Sequence, residues 1–164
     1  MDQLAKNLPD YIFMPVGNAT LFSGVCKGLI EFRNARLLQS MPKLVAVQSK
    51  RCDPLIRAYR SGRRVRYVQP RTEADAIAVG YPTFGFEGLE AIRKSGGSAV
   101  AVGEDDIKNA VMALEKFKVY AELGGGTGFA GFLRYCKAHA WVMRGKRVVV
   151  VVTGNNEGMF RAKT

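Results

Sequence analysis

The sequence predicts an α/β fold, in which a mostly parallel open sheet carries helices on both faces. Several short apolar segments rich in valine and alanine lack polar alternation, as expected of strands that are covered on both sides. Between them, apolar residues recur at helical spacing. Strands that alternate with helices are typical of a parallel sheet. We therefore expect residues 1–164 to form a single α/β unit.

Five apolar segments predict strands. They are Tyr11–Val16, Leu44–Gln48, Ala99–Val102, Val119–Leu123 and Arg147–Val152. The last segment contains five consecutive valines, which favours a position at the centre of the sheet.

Helical periodicity predicts five helices between these strands. The segments are 21–32, 54–59, 87–94, 104–114 and 129–136. Gly24 and Gly28 lie four residues apart in the first of them, so we expect this helix to approach the sheet closely. Residues 57–88, with two prolines and four glycines, predict an irregular surface excursion of the kind that often carries function.

The composition restricts the classes of partner. The net charge is +11, and six arginines fall between Arg57 and Arg71, interleaved with Tyr59 and Tyr67. Such a stripe could bind nucleic acid, form a solvated surface or meet an acidic partner. No nucleic-acid motif accompanies it, so we do not expect a nucleic-acid partner. No apolar run is long enough to span a bilayer, and we expect a cytoplasmic protein.

The three cysteines and the single histidine do not predict a metal centre. Cys26, Cys52 and Cys136 are widely separated and none has metal-ligand spacing with His139. We expect buried or incidental thiols and no metal site.

Three turns with unusual chemistry follow predicted strands, at the edge where parallel α/β sheets bind ligands. Gly17-Asn18-Ala19-Thr20 opens the first helix, which suits a phosphate because a helix N-terminus offers free N–H groups. Gly124–Gly128 also opens a helix and is an alternative candidate for a phosphate-binding site. The turn 153–156 follows the valine segment, and the hydroxyl of Thr153 can make one hydrogen bond to a ligand. These residues alone leave both glycine-containing turns open as phosphate sites.

In chain order, these segments resemble the tryptophan-synthase-β-like (fold-type II) family of pyridoxal-phosphate enzymes, and within it the C-terminal half of the threonine synthases. The resemblance rests on the stretches "PDYIFMPVGNATLFSGVCKGLIEF", "LVAVQSKRCDPLIRAY", "DAIAVGYP", "SGGSAVAVGEDDI", "YAELGGGTGFAGFLRY" and "RVVVVVTGNN". It runs nearly from end to end of the chain.

The resemblance implies a cofactor site for pyridoxal phosphate. In this family the turn after the first of these strands holds the cofactor phosphate through backbone N–H groups, and Thr153 falls on the position that hydrogen-bonds the pyridine nitrogen. The phosphate role is thus assigned to Gly17, Asn18, Ala19, Thr20 and Leu21. Threonine synthases usually have glycine and then asparagine at the last two of these positions. The stretch 124–128 corresponds to a small loop that flanks the active site.

The resemblance also implies an activity and indicates which part of the active site this chain lacks. Together with an N-terminal half, the chain would convert O-phosphohomoserine, an amino-acid substrate, to threonine and phosphate. The family's attachment lysine lies upstream in a Ser-x-Lys-x-Arg-like setting that nothing in the chain matches. We therefore expect no catalytic residue and no covalent cofactor here, and an inactive chain on its own.

Other activities remain open. A threonine or serine dehydratase, a cysteate synthase, or a non-catalytic subunit that binds a phosphorylated ligand would share these features. We expect self-association or a complementary N-terminal chain.

Overall fold

The computed structural model of the chain describes residues 8–155. Within them, the strands β1 (Tyr11–Pro15), β2 (Lys43–Ser49), β3 (Ser98–Val102) and β4 (Val148–Val150) form one sheet in the order β3-β2-β1-β4. Each neighbouring pair is parallel. The predicted fold class is therefore confirmed.

The helices of the described chain alternate with these strands. They are α1 (Thr20–Asn34), α2 (Pro54–Ser61), α3 (Gly85–Lys94), α4 (Glu104–Glu115), α5 (Leu123–Ala138) and α6 (Ala140–Met143). The five predicted helical segments correspond to α1 to α5. Between α2 and α3 the chain is irregular, as predicted, apart from one 3₁₀ turn at Asp75–Ile77. No helix in residues 8–155 is long and apolar enough to cross a membrane.

Two hydrophobic layers cover the two faces of the sheet. Successive side chains of a strand point to opposite faces. Accordingly, Ile12 and Met14 of β1 pack into a core with α1, α2 and α3, whereas Phe13 packs into a second core with α4 and α5. Helices on both faces explain why β1 and β2 are apolar without alternation.

The prediction of a strand at Val119–Leu123 is wrong. In this segment Ala121 makes only an isolated antiparallel bridge with Asn155. The carbonyl of Glu122 already accepts a hydrogen bond from the N–H of Gly126, at 2.8 Å. Helix α5 therefore begins at Leu123, where the strand was expected to end.

The valine segment lies at an edge of the sheet and not at its centre. Only Val148–Val150 pairs with β1, and these three valines are half-buried. The N–H of Val151 still bonds to the carbonyl of Phe13 at 2.9 Å. Beyond this bond the chain leaves the sheet and passes against the start of α5, where a Cβ at Gly125 would lie 2.7 Å from the backbone N of Gly154.

The glycines that allow close packing are not the predicted pair. A Cβ at Gly24 or Gly28 would meet nothing within 4 Å, because both positions of α1 face away from the sheet. The close approach is made by α5, where a Cβ at Gly131 would lie 2.3 Å from Cγ2 of Val47 in β2. The stretch Gly124–Gly128 is likewise buried helix and not an open loop.

Candidate functional site

The turn after β1 and the turn after β4 emerge at the same edge of the sheet. In the parallel pair β1–β4, Phe13 lies opposite Val150. Gly17 follows β1 by two residues and Thr153 follows β4 by three. Thr153 lines a cavity of about 330 Å³ with Lys118 and residues near it. Thr20 lines a different cavity, of about 580 Å³, between α1 and α3.

The turn enters α1 through a residue in the left-handed conformation. Ala19 has φ 63° and ψ 6°, a region that costs an L-residue roughly 1–2 kcal/mol. Its side chain is buried against α3, where a Cβ at Gly88 would lie 3.0 Å from the Ala19 Cβ. Its carbonyl accepts hydrogen bonds from both the N–H and the hydroxyl of Ser23, at 2.9 and 2.6 Å. Packing and these bonds hold the unfavourable conformation in place.

Asn18 fixes the turn to the segment that precedes α3. Its side-chain Oδ1 accepts the backbone N–H of Thr83 at 2.6 Å, and its carbonyl accepts the N–H of Phe84 at 3.2 Å. Its Nδ2 donates to the hydroxyl of Thr20 at 3.3 Å. The backbone of the turn is thus set by hydrogen bonds from both sides.

The N-terminus of α1 is left open. No side chain caps it and its first turn contains no acidic residue. Thr20 is exposed, and the side chain of Leu21 is 47% exposed. Uncapped N–H groups at the positive end of a 15-residue helix favour an anion such as phosphate.

The 3₁₀ turn packs between the first turn and the start of α5. A Cβ at Gly17 would lie 3.1 Å from the Cα of Ile77, and one at Gly124 would lie 2.9 Å from the Cβ of Ala76. The residues at the start of α5 are therefore covered by backbone and small side chains. This burial favours a packing role for the glycine-rich stretch and leaves α1 as the better anion site.

The sequence did not point to Gln48, a residue whose side chain links the segment after β1 to the start of α2. Gln48 is fully buried, and its Nε2 donates to the carbonyl of Val16 at 3.2 Å. Its Oε1 accepts the N–H groups of Leu55 and Ile56, at 3.0 and 3.2 Å, at the start of α2. A lone amide at the end of an apolar strand was the available signal. Gln48 thus positions Val16, which lies between the end of β1 and Gly17.

Glu104 makes a second link at this edge, between β2 and the irregular segment. Its carboxylate accepts hydrogen bonds from the hydroxyl of Ser49, from the hydroxyl of Thr72 at 2.9 Å and from the N–H of Glu73 at 2.8 Å. Burial alone would raise the pKa of Glu104, but these bonds outweigh it and the pKa lies below its ordinary value. The ionised carboxylate anchors the chain that leads into the 3₁₀ turn.

Comparison with known proteins identifies the family. The sequence profile described as pyridoxal-phosphate dependent enzyme matches residues 1–154. The chain belongs to this family. Its cofactor is pyridoxal phosphate, and the resemblance to fold-type II enzymes is confirmed.

The family members most informative about this chain are threonine synthases. The threonine synthase of Methanocaldococcus jannaschii is 32% identical over 157 residues, and that of Methanosarcina acetivorans is 33% identical over 157 residues. In both cases the match covers 94% of this chain and 38% of the relative. The chain thus spans well under half the length of these relatives.

Solved structures of the family share the fold. The processed form of threonine deaminase isoform 2 from Solanum lycopersicum superposes with a TM-score of 0.74 at 22% identity, covering 99% of this chain and 45% of that one. Maize serine racemase gives a TM-score of 0.75 at 20% identity, covering 99% of this chain and 50% of that one. At such identities the likeness shows the fold alone.

The open end of α1 fits the phosphate group of the family's cofactor. It offers backbone donors and a favourable helix dipole, and its first turn contains no acidic residue. The structure places Gly17, Asn18, Ala19, Thr20 and Leu21 together at this end, while Thr153 lies at the same edge beyond the neighbouring strand.

The cysteines of the described chain take no part in this site. Cys26, Cys52 and Cys136 are unpaired, the first two of them buried. Burial raises the pKa of each thiol. They are therefore poor nucleophiles at neutral pH.

Proposed function

We propose that this chain supplies the cofactor-phosphate part of a threonine synthase-like enzyme that converts O-phosphohomoserine to threonine and phosphate. The observation that carries the proposal is the uncapped N-terminus of α1 behind a fixed Gly17-Asn18-Ala19 turn. The similarity to threonine synthases, 32% identity in a match that covers 94% of the chain, supports the choice of reaction.

The proposed roles are positional. The backbone N–H groups from Gly17 to Leu21 hold the cofactor phosphate, with the hydroxyl of Thr20 beside them. The hydroxyl of Thr153 hydrogen-bonds the pyridine nitrogen as a neutral partner. When bound, pyridoxal phosphate supplies an electron sink that acidifies protons of the amino-acid substrate. Residues of this chain orient the cofactor and transfer no proton.

The attachment lysine and the remainder of the cleft come from polypeptide outside these 164 residues in this proposal. The chain would correspond to the C-terminal half of a threonine synthase, consistent with its 38% share of the relatives. Exposed apolar surface supports a complementary N-terminal chain or self-association. Trp141 of α6 is 84% exposed, and β4 is an open edge of the described sheet. We place this assembly in the cytoplasm.

Dehydratase chemistry is the second candidate. Solved structures with this fold include a threonine deaminase and serine racemases, so the fold accommodates other amino-acid substrates. Their identity to the chain is 19–24%, below the 32–33% of the two archaeal threonine synthases. A cysteate synthase-like activity, or a non-catalytic subunit that binds a phosphorylated ligand, would use the same open helix end.

The substitution Leu21→Asp tests the proposed phosphate site. An aspartate in the first turn of α1 favours the helix but repels a phosphate bound there. We expect the affinity for pyridoxal phosphate, followed by absorption and fluorescence, to fall at least tenfold with an unchanged melting temperature. Leu133→Asp, at a leucine that is 44% exposed on α5, is the matched control. Equal affinity in wild type and Leu21→Asp would overturn the site.

Product analysis separates the candidate activities. When the chain is combined with an N-terminal half of a threonine synthase, O-phosphohomoserine should yield threonine and phosphate. Formation of a 2-oxo acid and ammonia from threonine or serine would instead identify a dehydratase.

A further inference from the structure

Two adjoining cavities lie along the irregular segment after α2. The first borders the turn before α1, because Thr83, which lines it, donates its N–H to Asn18. The first, of about 480 Å³, is lined by Arg63, Arg64 and Arg93. The second, of about 320 Å³, is lined by Arg57, Arg63, Arg64 and Arg66. Arg63 and Arg64 line both, so they form the boundary between them. We call the two together the arginine cavities.

The positive charge of the arginine cavities is poorly compensated. No carboxylate of the described residues lines either cavity. Arg57 pairs with Asp53 and Arg93 pairs with Glu90. Arg63, Arg64 and Arg66 form no ion pair with any described residue. Three guanidinium groups are therefore available to an external anion.

The backbone that carries these arginines is held at both ends. Gly62 turns the chain out of α2 with φ 67°. Val65 packs on α3, where a Cβ at Gly85 would lie 2.9 Å from Cγ2 of Val65. The N–H of Val68 bonds to the carbonyl of Gly80 at 3.0 Å. A fixed backbone lowers the entropic cost of binding a ligand.

We propose that the arginine cavities bind a small ligand that carries two or more phosphate charges. The planar guanidinium group donates paired hydrogen bonds that match phosphate oxygens. The first cavity has the volume of a small-molecule site, about 300–1,000 Å³. Tyr81 and Phe86 also line it and offer aromatic faces beside the charge. A nucleoside diphosphate and a plain diphosphate share the required chemistry.

Calorimetric titration with sodium pyrophosphate and with ADP tests this proposal, at an ionic strength of about 0.15 M so that loose surface attraction is screened. The double variant Arg63→Gln/Arg64→Gln should bind both probes at least tenfold more weakly than wild type. Arg33→Gln/Arg36→Gln removes the same charge from the end of α1, outside both cavities, and should bind within twofold of wild type. Leu21→Asp should weaken only the binding of these probes at the open end of α1 and leave the binding that depends on Arg63 and Arg64, which separates this site from the proposed cofactor site.

The outcomes of these titrations show whether the site exists and whether its ligand is a nucleotide or a plain diphosphate. ADP binding about tenfold tighter than pyrophosphate would identify a nucleotide, and equal binding would identify a plain diphosphate. Unaltered affinity in Arg63→Gln/Arg64→Gln would overturn the site. So would tenfold tighter binding of a single-stranded oligonucleotide than of either probe, because the surface would then serve nucleic acid. Arg93→Gln, which alters only the first cavity, provides a second test should the double variant melt at a lower temperature.

Discussion

The side-chain Oδ1 of Asn18 lies 2.6 Å from the backbone N of Thr83 and accepts its hydrogen bond. This bond joins the turn after β1 to the segment that leads into α3. The turn therefore depends on a residue 65 positions away in the sequence. Support from both sides allows a backbone with a left-handed residue at Ala19 to present donors in one fixed arrangement.

Asn18 offers a way to separate stability from phosphate binding. Asn18→Ala removes the acceptor for Thr83 and should lower the free energy of unfolding by about 1 kcal/mol. Asn18→Asp retains an acceptor but adds negative charge beside the open helix end. We expect it to keep most of the stability and to weaken binding of pyridoxal phosphate about tenfold. Chemical denaturation and cofactor titration of both variants measure the two effects. Wild-type stability in Asn18→Ala would show that the bond is dispensable.

Gln48 is predicted to be a stability determinant of the carboxyl edge. Gln48→Leu leaves the carbonyl of Val16 and the N–H groups of Leu55 and Ile56 without their buried partner. The free energy of unfolding should fall by about 1–3 kcal/mol in urea denaturation. Gln39→Leu, at an exposed glutamine, should change it by less than about 0.5 kcal/mol. Equal effects of the two substitutions would refute the positioning role.

Two Gly→Ala substitutions should act in opposite directions. At Gly131 of α5 a methyl group would overlap Val47, and overpacking of this kind costs about 1–3 kcal/mol. At Gly28 of α1 the same methyl group meets nothing within 4 Å, and replacing glycine inside a helix should stabilise by about 0.5–1 kcal/mol. Thermal unfolding of the two variants is the measurement. A neutral Gly131→Ala would mean that α5 does not pack tightly on β2.

Glu104 should contribute a pH-dependent part of the stability. Its pKa in the folded chain lies below its ordinary value of 4.5, so its contribution is present above pH 4.5 and is lost as the pH falls through the folded pKa. Glu104→Gln keeps the shape of the side chain but removes the charge. The difference in unfolding free energy between wild type and Glu104→Gln should be largest at neutral pH and should shrink in acid. A difference that is constant with pH would contradict the hydrogen-bonded carboxylate.

The sequence predicted the layered fold well because its strand segments are apolar on both faces and alternate with segments in which apolar residues recur at helical spacing. The segments around Phe13 and Val45, for example, are apolar on both faces, and helices cover both faces in the structure. The failures occurred where short apolar runs were ambiguous. Residues 119–123 have the composition of a strand, but a backbone hydrogen bond from Gly126 to Glu122 starts a helix there.

Two predictions from glycine content differ from the structure, because local sequence does not show what packs against a glycine. Gly124–Gly128 was predicted to open a helix as a candidate phosphate site and, by the resemblance, to form a small loop beside the active site. In the structure these glycines lie inside α5, where close packing against neighbouring backbone requires small residues. Gly24 and Gly28 have the spacing of a packing contact, yet no partner lies next to them. The assignment of Gly17 to Leu21 came from a family resemblance. The links made by Gln48 and Glu104 depend on residues distant in sequence, which no local pattern reveals.

The most direct test of the account compares pyridoxal phosphate with pyridoxal, which lacks the phosphate, in binding to the unmodified chain. If the open end of α1 holds the cofactor by its phosphate, pyridoxal phosphate should bind and inorganic phosphate should compete with it. Pyridoxal should bind at least tenfold more weakly, and borohydride reduction followed by peptide mapping should find no single modified lysine. Equal binding of the two compounds, or stoichiometric trapping on one lysine, would contradict the proposal that this chain contributes the phosphate site and not the attachment residue.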